Sequence, residues 1–120
     1  MKKLFGGGEF YEGPRWHDGA WWVSDIFGAK VSRVTPDGHG ELIAAVEQWP
    51  SGLGWLPNGD LLIVSIRDRK LLRRDRAGRL SVHADLSSHS PFWLNDMLVD
   101  GHGRAWVGNL GADLPNGGQP

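Results

Sequence analysis

One structural unit occurs three times in this 120-residue chain. Its opening segments are residues 12–16, 51–55 and 95–99, and each leads through a turn into a run of strand length. Gly13 and Gly52 are 39 positions apart (52 − 13), and Gly52 and Asp96 are 44 apart (96 − 52). A repeat of about 40–45 residues built from short strands and glycine turns is typical of the blades of a β-propeller.

Glycine turns separate the strand-like runs, and none of the runs has a sustained helical period. The turns lie at residues 17–19, 36–38, 57–59, 76–78 and 100–103, where Gly often follows Asp or Asn. We therefore predict an all-β fold, a single partial β-propeller domain over residues 1–120. It would hold about two and a half four-stranded antiparallel blades, at residues 12–46, 51–86 and, in part, 95–120.

Residues at equivalent positions of successive blades lie at one height around the central channel. Glu12, Ser51 and Asn95 each open a unit, so we expect all three at the same mouth of the channel. Carboxylate and amide oxygens are the ligands that hard divalent cations prefer. The repeat therefore predicts a cation site that includes Glu12 and Asn95, with the capping of local turn amides as the alternative for each. Ser51 is expected to be a turn former, since no Gly-x-Ser-x-Gly segment surrounds it.

Other polar residues are expected around the same mouth, because the second strand of a blade ends beside the start of the first. Asp25, Arg67 and Asn109 lie at such strand ends. Hydrogen bonding at the blade edge is the alternative for each of them. Asp96 follows Asn95 directly, where it can support that side chain or bind local amides.

The overall composition argues against several classes of partner. A net charge of −1 gives no electrostatic reason to expect nucleic acid or an anionic membrane. The basic run at residues 67–76 is interpreted as a solvated outer strand whose charges prevent edge pairing. The sequence has no cysteine, no apolar run of the roughly 18 residues that a spanning helix needs, and no apolar signal region at its start. We expect a cytoplasmic protein that binds neither nucleic acid nor membrane.

Residues 10–16 (Phe-Tyr-Glu-Gly-Pro-Arg-Trp), residues 50–57 (Pro-Ser-Gly-Leu-Gly-Trp-Leu-Pro) and residues 94–97 (Leu-Asn-Asp-Met) occur in a characteristic order and spacing. Together they resemble the gluconolactonase / senescence-marker-protein (regucalcin) / luciferin-regenerating-enzyme family, from residue 9 to about residue 113. The resemblance implies a six-bladed propeller, of which this chain is the N-terminal part. It also implies one divalent cation at the channel and hydrolysis of lactones.

Carried over by position, Glu12 resembles the carboxylate metal ligand of the family's first blade. Asn95 resembles the polar residue that contacts the metal and the bound substrate, and with Asp96 it is assigned to catalysis. Trp93 and Asn109 are assigned to substrate binding. Sugar-lactonase members often have Arg where this chain has Trp93, and Trp offers an apolar face with one N–H donor instead. The resemblance therefore favours a less polar lactone or ester as the substrate.

The function expected on these grounds is the N-terminal part of a divalent-metal-dependent lactone or ester hydrolase. Ca²⁺ is the expected cation, with Mg²⁺, Mn²⁺ and Zn²⁺ as alternatives. The alternative function is a non-catalytic propeller platform that holds a structural cation. The remaining ligands and the general base would lie beyond Pro120, so the chain alone is expected to be inactive. An open arc of blades would expose apolar faces and self-associate, unless several subunits close one ring.

Overall fold

The computed structural model describes residues 11–109, and the side chains of residues 14–108. These residues form ten β-strands and no helix, so this part of the chain has no helix that could cross a membrane. The strands are β1 (Tyr11–His17), β2 (Ala20–Asp25), β3 (Lys30–Val34), β4 (Gly40–Ala45), β5 (Pro50–Trp55), β6 (Leu61–Ser65), β7 (Lys70–Arg74), β8 (Leu80–Asp85), β9 (Leu94–Val99) and β10 (Ala105–Asn109).

The strands form three antiparallel sheets in chain order. The first sheet has the order β1-β2-β3-β4, the second has the order β5-β6-β7-β8, and the third consists of β9 and β10. These sheets are the blades, and β1, β5 and β9 are their inner strands. The predicted all-β propeller arrangement is confirmed for the described residues, whereas the predicted part of blade three after Asn109 lies outside them.

The sequence repeat is also a repeat of strand register. Trp16 pairs with Trp21, and Trp55, 39 positions after Trp16, pairs with Leu61 in the same way. Ala29 and Arg69 close equivalent turns between the second and third strands, and both have positive φ, at 57° and 56°. Positive φ is uncommon for residues other than glycine. Its recurrence at these two turns therefore shows that blades one and two share the same local geometry.

Each inner strand contains one extra residue near its start. Three steps along the inner strand match two steps along its neighbour between Glu12 and Arg15, between Pro50 and Leu53, and between Leu94 and Met97. Such a β-bulge bends the strand and changes the direction of nearby side chains, and bulges are common beside active sites. Ser51 and Asn95 are the first unpaired residues of their bulges, whereas Glu12, their counterpart in the sequence repeat, still pairs with Ser24 where the bulge of blade one begins.

Strand β6 is buried on both faces and connects the two hydrophobic clusters. Leu61 and Ile63 pack with Trp22 and Leu53 in a cluster between blades one and two. Leu62 and Val64 belong to the cluster between blades two and three, with Leu71, Leu94 and Met97. A strand with two buried faces needs a continuous apolar sequence rather than an alternating one, which explains the run Leu-Leu-Ile-Val in β6.

Large apolar side chains remain exposed on blades one and three. Trp16, Leu98 and Trp106 are 54%, 64% and 60% exposed. Exposed apolar surface of this kind favours association with another surface. The expected self-association of the chain stays a prediction.

A glycine allows β5 and β9 to approach closely. A Cβ atom at Gly52 would lie 2.6 Å from the Met97 amide nitrogen and 2.7 Å from Asp96 Oδ1. We expect Gly52→Ala to lower the free energy of unfolding by about 1–3 kcal/mol, because one of the two strands must move. Gly101→Ala is the matched control, since a Cβ there would meet nothing within 4 Å. Denaturant unfolding measures both variants, and equal midpoints would contradict the close approach.

His17 links blades one and two through a stacked aromatic contact. Its ring lies parallel to the Trp55 ring, with centroids 3.8 Å apart and an interplanar angle of 10°. Trp22 Nε1 donates a hydrogen bond of 2.8 Å to the His17 carbonyl oxygen. Burial lowers the pKa of His17, and the nearby negative charge of Asp18 opposes this shift. The folded protein therefore favours the neutral imidazole.

Because the folded state binds this proton less readily than the unfolded state, protonation of His17 favours unfolding. We expect stability to fall as the pH decreases below the ordinary His pKa of 6.5, and to level off below the folded-state pKa. His17→Phe keeps a ring for stacking and should reduce this pH dependence. The measurement is the unfolding midpoint between pH 5 and 8, with exposed His83→Gln as control. An unchanged pH profile in His17→Phe would contradict the assignment.

Candidate functional site

The polar residues predicted from the repeat lie at one end of the three sheets, which we call the channel mouth. At this end β1, β5 and β9 begin while β2, β6 and β10 finish, as the pairs Pro50–Ser65 and Leu94–Asn109 show. The Leu94 amide donates a hydrogen bond of 3.4 Å to the Ile66 carbonyl oxygen and connects blades two and three here. The backbones of Glu12 and Asn109 belong to this end, and their side chains lie outside the described residues.

Asn95 presents its side chain at the surface of β9. It makes no hydrogen bond to another residue of the described part of the chain. An amide side chain has one carbonyl oxygen that accepts and one NH₂ group that donates. Asn95 can therefore offer an oxygen to a cation or a donor to a substrate.

Asp96 joins blade three to blade one. Its Oδ1 accepts hydrogen bonds from Arg15 Nη2 at 2.9 Å and from the Met97 amide at 2.7 Å. The same Arg15 nitrogen donates to the Met97 carbonyl oxygen at 3.3 Å. This pair spans the side of β5 where Gly52 has no side chain. Both groups are partly exposed, so the pair contributes at most about 1 kcal/mol to stability, but it aligns the start of β9 with β1.

Arg15 was not predicted from the sequence to belong to the site. It could have been noticed as a charged residue on an inner strand, at the position that Gly54 occupies in blade two. The pairing itself joins residues 81 positions apart, and it depends on how three blades are arranged around the channel. The predicted catalytic role of Asp96 stays a prediction.

Ser51 is a buried strand residue and not a turn former, because the bulge keeps it within β5. Its carbonyl oxygen accepts a hydrogen bond of 2.6 Å from Ser24 Oγ of blade one. Among the described residues, its own Oγ and that of Ser65 have no hydrogen-bond partner. Buried hydroxyl groups nearly always have one. Water or a ligand at the channel mouth would satisfy both of them.

Asp25 and Arg67 hold the chain at the channel mouth. Asp25 is buried, and its Oδ1 accepts a hydrogen bond of 3.1 Å from the Gly28 amide in the turn after β2. Arg67 Nη2 donates a bond of 3.0 Å to the Glu47 carbonyl oxygen. Both residues thus make hydrogen bonds at the blade edge, which was the alternative to a direct role in binding or catalysis.

Three aromatic side chains, Phe27, Trp49 and Trp93, form a row at the channel mouth, which we call the aromatic row. Trp49 lies in the middle, with ring centroids 5.1 Å from Phe27 and 5.8 Å from Trp93. The interplanar angles are 76° and 84°, so both contacts are edge-to-face. Trp93 was predicted to bind substrate. Phe27 and Trp49 were not, although Trp49 and Trp93 each stand one position before an inner strand.

A cleft of about 280 Å³ lies at the opposite end of the sheets, between blades one and two. Its lining includes His17, Trp55, Arg74 and Asp75. These groups have partners nearby, since Arg74 Nε donates to the Ile43 carbonyl oxygen at 2.9 Å and Asp75 pairs with Arg79 at 3.1 Å. None of the predicted site residues lines this cleft, and the candidate site is therefore the channel mouth.

The oxygen atoms at the channel mouth supply some of the ligands that a hard divalent cation needs. The Asn95 side chain is an oxygen donor without a partner in the described part of the chain, and Glu12, its counterpart in the sequence repeat, lies on β1 at the same end of the sheets. Ca²⁺ takes 6–8 oxygen ligands. Within residues 14–108, no group of three or more His, Asp or Glu side chains could hold a metal ion. The described side chains therefore supply part of a cation site and do not complete one.

The chain is similar in fold to several solved propeller-type structures. A gluconolactonase from Xanthomonas campestris superposes with a TM-score of 0.79 at 19% identity, covering 92% of this chain. Regucalcin from Agrobacterium tumefaciens, described as a calcium-binding protein, gives 0.65 at 27% identity and 81% coverage. A Bacteroides thetaiotaomicron protein of unknown function gives 0.62 at 20% identity and 75% coverage.

The chain spans 38%, 34% and 30% of the lengths of these three proteins. No curated protein sequence matches it. The sequence model of the SMP-30/gluconolactonase/LRE-like region matches residues 10–120, which is nearly the entire chain. The chain therefore belongs to the SMP-30/gluconolactonase/LRE-like family.

Proposed function

We propose that this chain forms part of a divalent-cation-dependent hydrolase of lactones or esters, with Glu12 and Asn95 as two of its cation ligands. The observation that carries the proposal is the repeated bulge. It lies near the start of all three inner strands, with Ser51 and Asn95 inside it and Glu12, their counterpart in the sequence repeat, paired with Ser24 where it begins in blade one. The exposed Asn95 amide has no partner in the described part of the chain. A family that includes gluconolactonases supports hydrolysis of a cyclic ester.

Ca²⁺ is the proposed cation, and Mg²⁺, Mn²⁺ and Zn²⁺ are the alternatives. The oxygen donors of a carboxylate and an amide suit Ca²⁺, and a structural relative is described as calcium-binding. When bound, a divalent cation supplies Lewis-acid polarisation of a carbonyl group. Glu12 would contribute the negative charge and Asn95 a neutral oxygen.

The side chains around Asn95 have separate tasks in this proposal. Arg15 and Asp96 hold the start of β9 against β1, so Asp96 positions Asn95 in addition to its predicted part in catalysis. Asn95 either offers its oxygen to the cation or donates a hydrogen bond from its NH₂ group to a substrate oxygen. Trp93 and Asn109, at the start of β9 and the end of β10, would contact the rest of the substrate. A small-molecule lactone or ester is thus the proposed partner, and the absence of cysteine supports a cytoplasmic location.

The second candidate is a platform that binds a cation without catalysis. The Arg15–Asp96 ion pair favours the platform, because it engages the Asp96 carboxylate, which lies near the channel, in a contact between blades. In that case Ca²⁺ would raise the unfolding temperature by binding only the folded state, and no lactone would be hydrolysed.

Replacing the charged ligand tests the first candidate. In the full-length protein, we expect Glu12→Gln to weaken Ca²⁺ binding about tenfold or more and to reduce lactone hydrolysis with it, because the number of charged ligands sets the affinity of such sites. Asp18→Asn is the matched control, since Asp18 is exposed in the turn at the other end of β1. Calorimetric titration with Ca²⁺ and a lactone panel at fixed pH measure both quantities. Unchanged affinity and turnover in Glu12→Gln would refute the assignment.

Substitutions of Asn95 distinguish a cation ligand from a residue that contacts the substrate. If Asn95 is a ligand, Asn95→Ala reduces Ca²⁺ affinity and hydrolysis together, whereas a substrate contact lowers hydrolysis at unchanged affinity. Asn95→Asp keeps an oxygen donor and should retain the cation in both cases. Ca²⁺ binding by the full-length protein without hydrolysis of any lactone in the panel would favour the platform.

A further inference from the structure

The backbone at the centre of the aromatic row has an unusual conformation. Trp49 has a φ of +75°, in a region that bulky residues rarely adopt. The positive φ of Ala29 recurs at Arg69, whereas that of Trp49 does not recur at Trp93, which also stands one position before an inner strand. Among the described residues, the positive φ of Trp49 is therefore not shared by its counterpart in blade three.

Hydrogen bonds and a cation fix Trp49 in this conformation. Its amide donates to the Val46 carbonyl oxygen at 3.1 Å, and its carbonyl oxygen accepts from the Ile66 amide at 2.8 Å. The Arg67 guanidinium lies over the indole, with Cζ 4.2 Å from the ring centroid. A guanidinium at this distance is attracted to the ring face. Strained residues that their surroundings hold in place are often part of ligand-binding sites.

The rings on either side of Trp49 are partly exposed. Phe27 is 53% exposed and Trp93 is half-buried. Trp93 is also two residues before Asn95 on the same chain segment, so the aromatic row borders the proposed catalytic position. A ligand held by Asn95 would therefore have aromatic surface beside it.

Resting on the proposed function, we propose that the aromatic row is a subsite for an aryl or similarly planar apolar group of the lactone or ester substrate. Aromatic rings pack on one another in offset-stacked or edge-to-face arrangements, and the row already uses the second of these. The ring faces of the row are apolar and carry only the two indole N–H groups as donors, while the Arg67 guanidinium over Trp49 supplies further donors beside them.

A pair of lactones that differ by one phenyl group tests this subsite. We expect the protein to bind α-phenyl-γ-butyrolactone about tenfold more tightly than γ-butyrolactone, because the phenyl ring gains aromatic contacts. Calorimetry and the quenching of tryptophan fluorescence both report this affinity ratio without requiring turnover. Equal affinities, or no binding of the phenyl lactone, would overturn the proposal.

Substitutions in the aromatic row test whether the preference for the phenyl lactone arises there. Phe27→Leu keeps an apolar side chain and should bring the affinity ratio close to one, and Trp93→Leu should do the same. Trp106→Leu is the matched control, because Trp106 is 60% exposed on β10 and its Nε1 donates to Asp100 outside the row. Thermal unfolding shows that each variant is folded. A ratio that survives in both row variants, or is lost in Trp106→Leu, would place the phenyl group elsewhere.

The outcome distinguishes this subsite from the proposed function. In the full-length protein, a phenyl preference in binding without hydrolysis of either lactone supports the aromatic row and rejects the hydrolase. Hydrolysis of both lactones with equal affinities supports the hydrolase and rejects the row.

Discussion

Burial of β6 on both faces determines how the three sheets are arranged. Leu61 and Ile63 pack towards blade one, while Leu62 and Val64 pack towards blade three. Each buried aliphatic side chain contributes about 1.5–3 kcal/mol relative to exposure. One neighbouring blade could bury only one of these two faces. The blades therefore stabilise one another in sequence, as repeat proteins do, and the inner strands are brought side by side around a channel.

The close approach of the inner strands also creates the candidate site. Gly52 lets β9 lie against β5, and Arg15 reaches past it to Asp96. A bulge recurs near the start of each inner strand, at equivalent residues in blades two and three and one residue later in blade one. The geometry of the channel mouth thus depends on packing deeper in the blades. The alternation of side chains along a strand is broken at Ser51 and Asn95, whereas Glu12 still pairs with Ser24.

Much of this arrangement follows from spacing alone. The 39-residue offset predicted that Trp16 and Trp55 are equivalent, and their strand pairing confirms it. The contact of Arg15 with Asp96 was not predicted, because it joins blades one and three and no local pattern encodes it. The positive φ of Trp49 was not predictable either, since tryptophan has no preference for that conformation. The side chains of Glu12 and Asn109 lie outside the described residues, and their roles stay predictions.

The proposed site for one divalent cation lies where the three inner strands begin. Paramagnetic relaxation by Mn²⁺, followed in amide NMR spectra, locates such a cation. We expect substoichiometric Mn²⁺ to broaden the signals of Ser51 and Asn95 first, excess Ca²⁺ to restore them, and Gly101, at the opposite end of blade three, to be unaffected. Broadening that begins at Gly101, or that spreads evenly over the acidic turns while Asn95 stays sharp, would contradict this site.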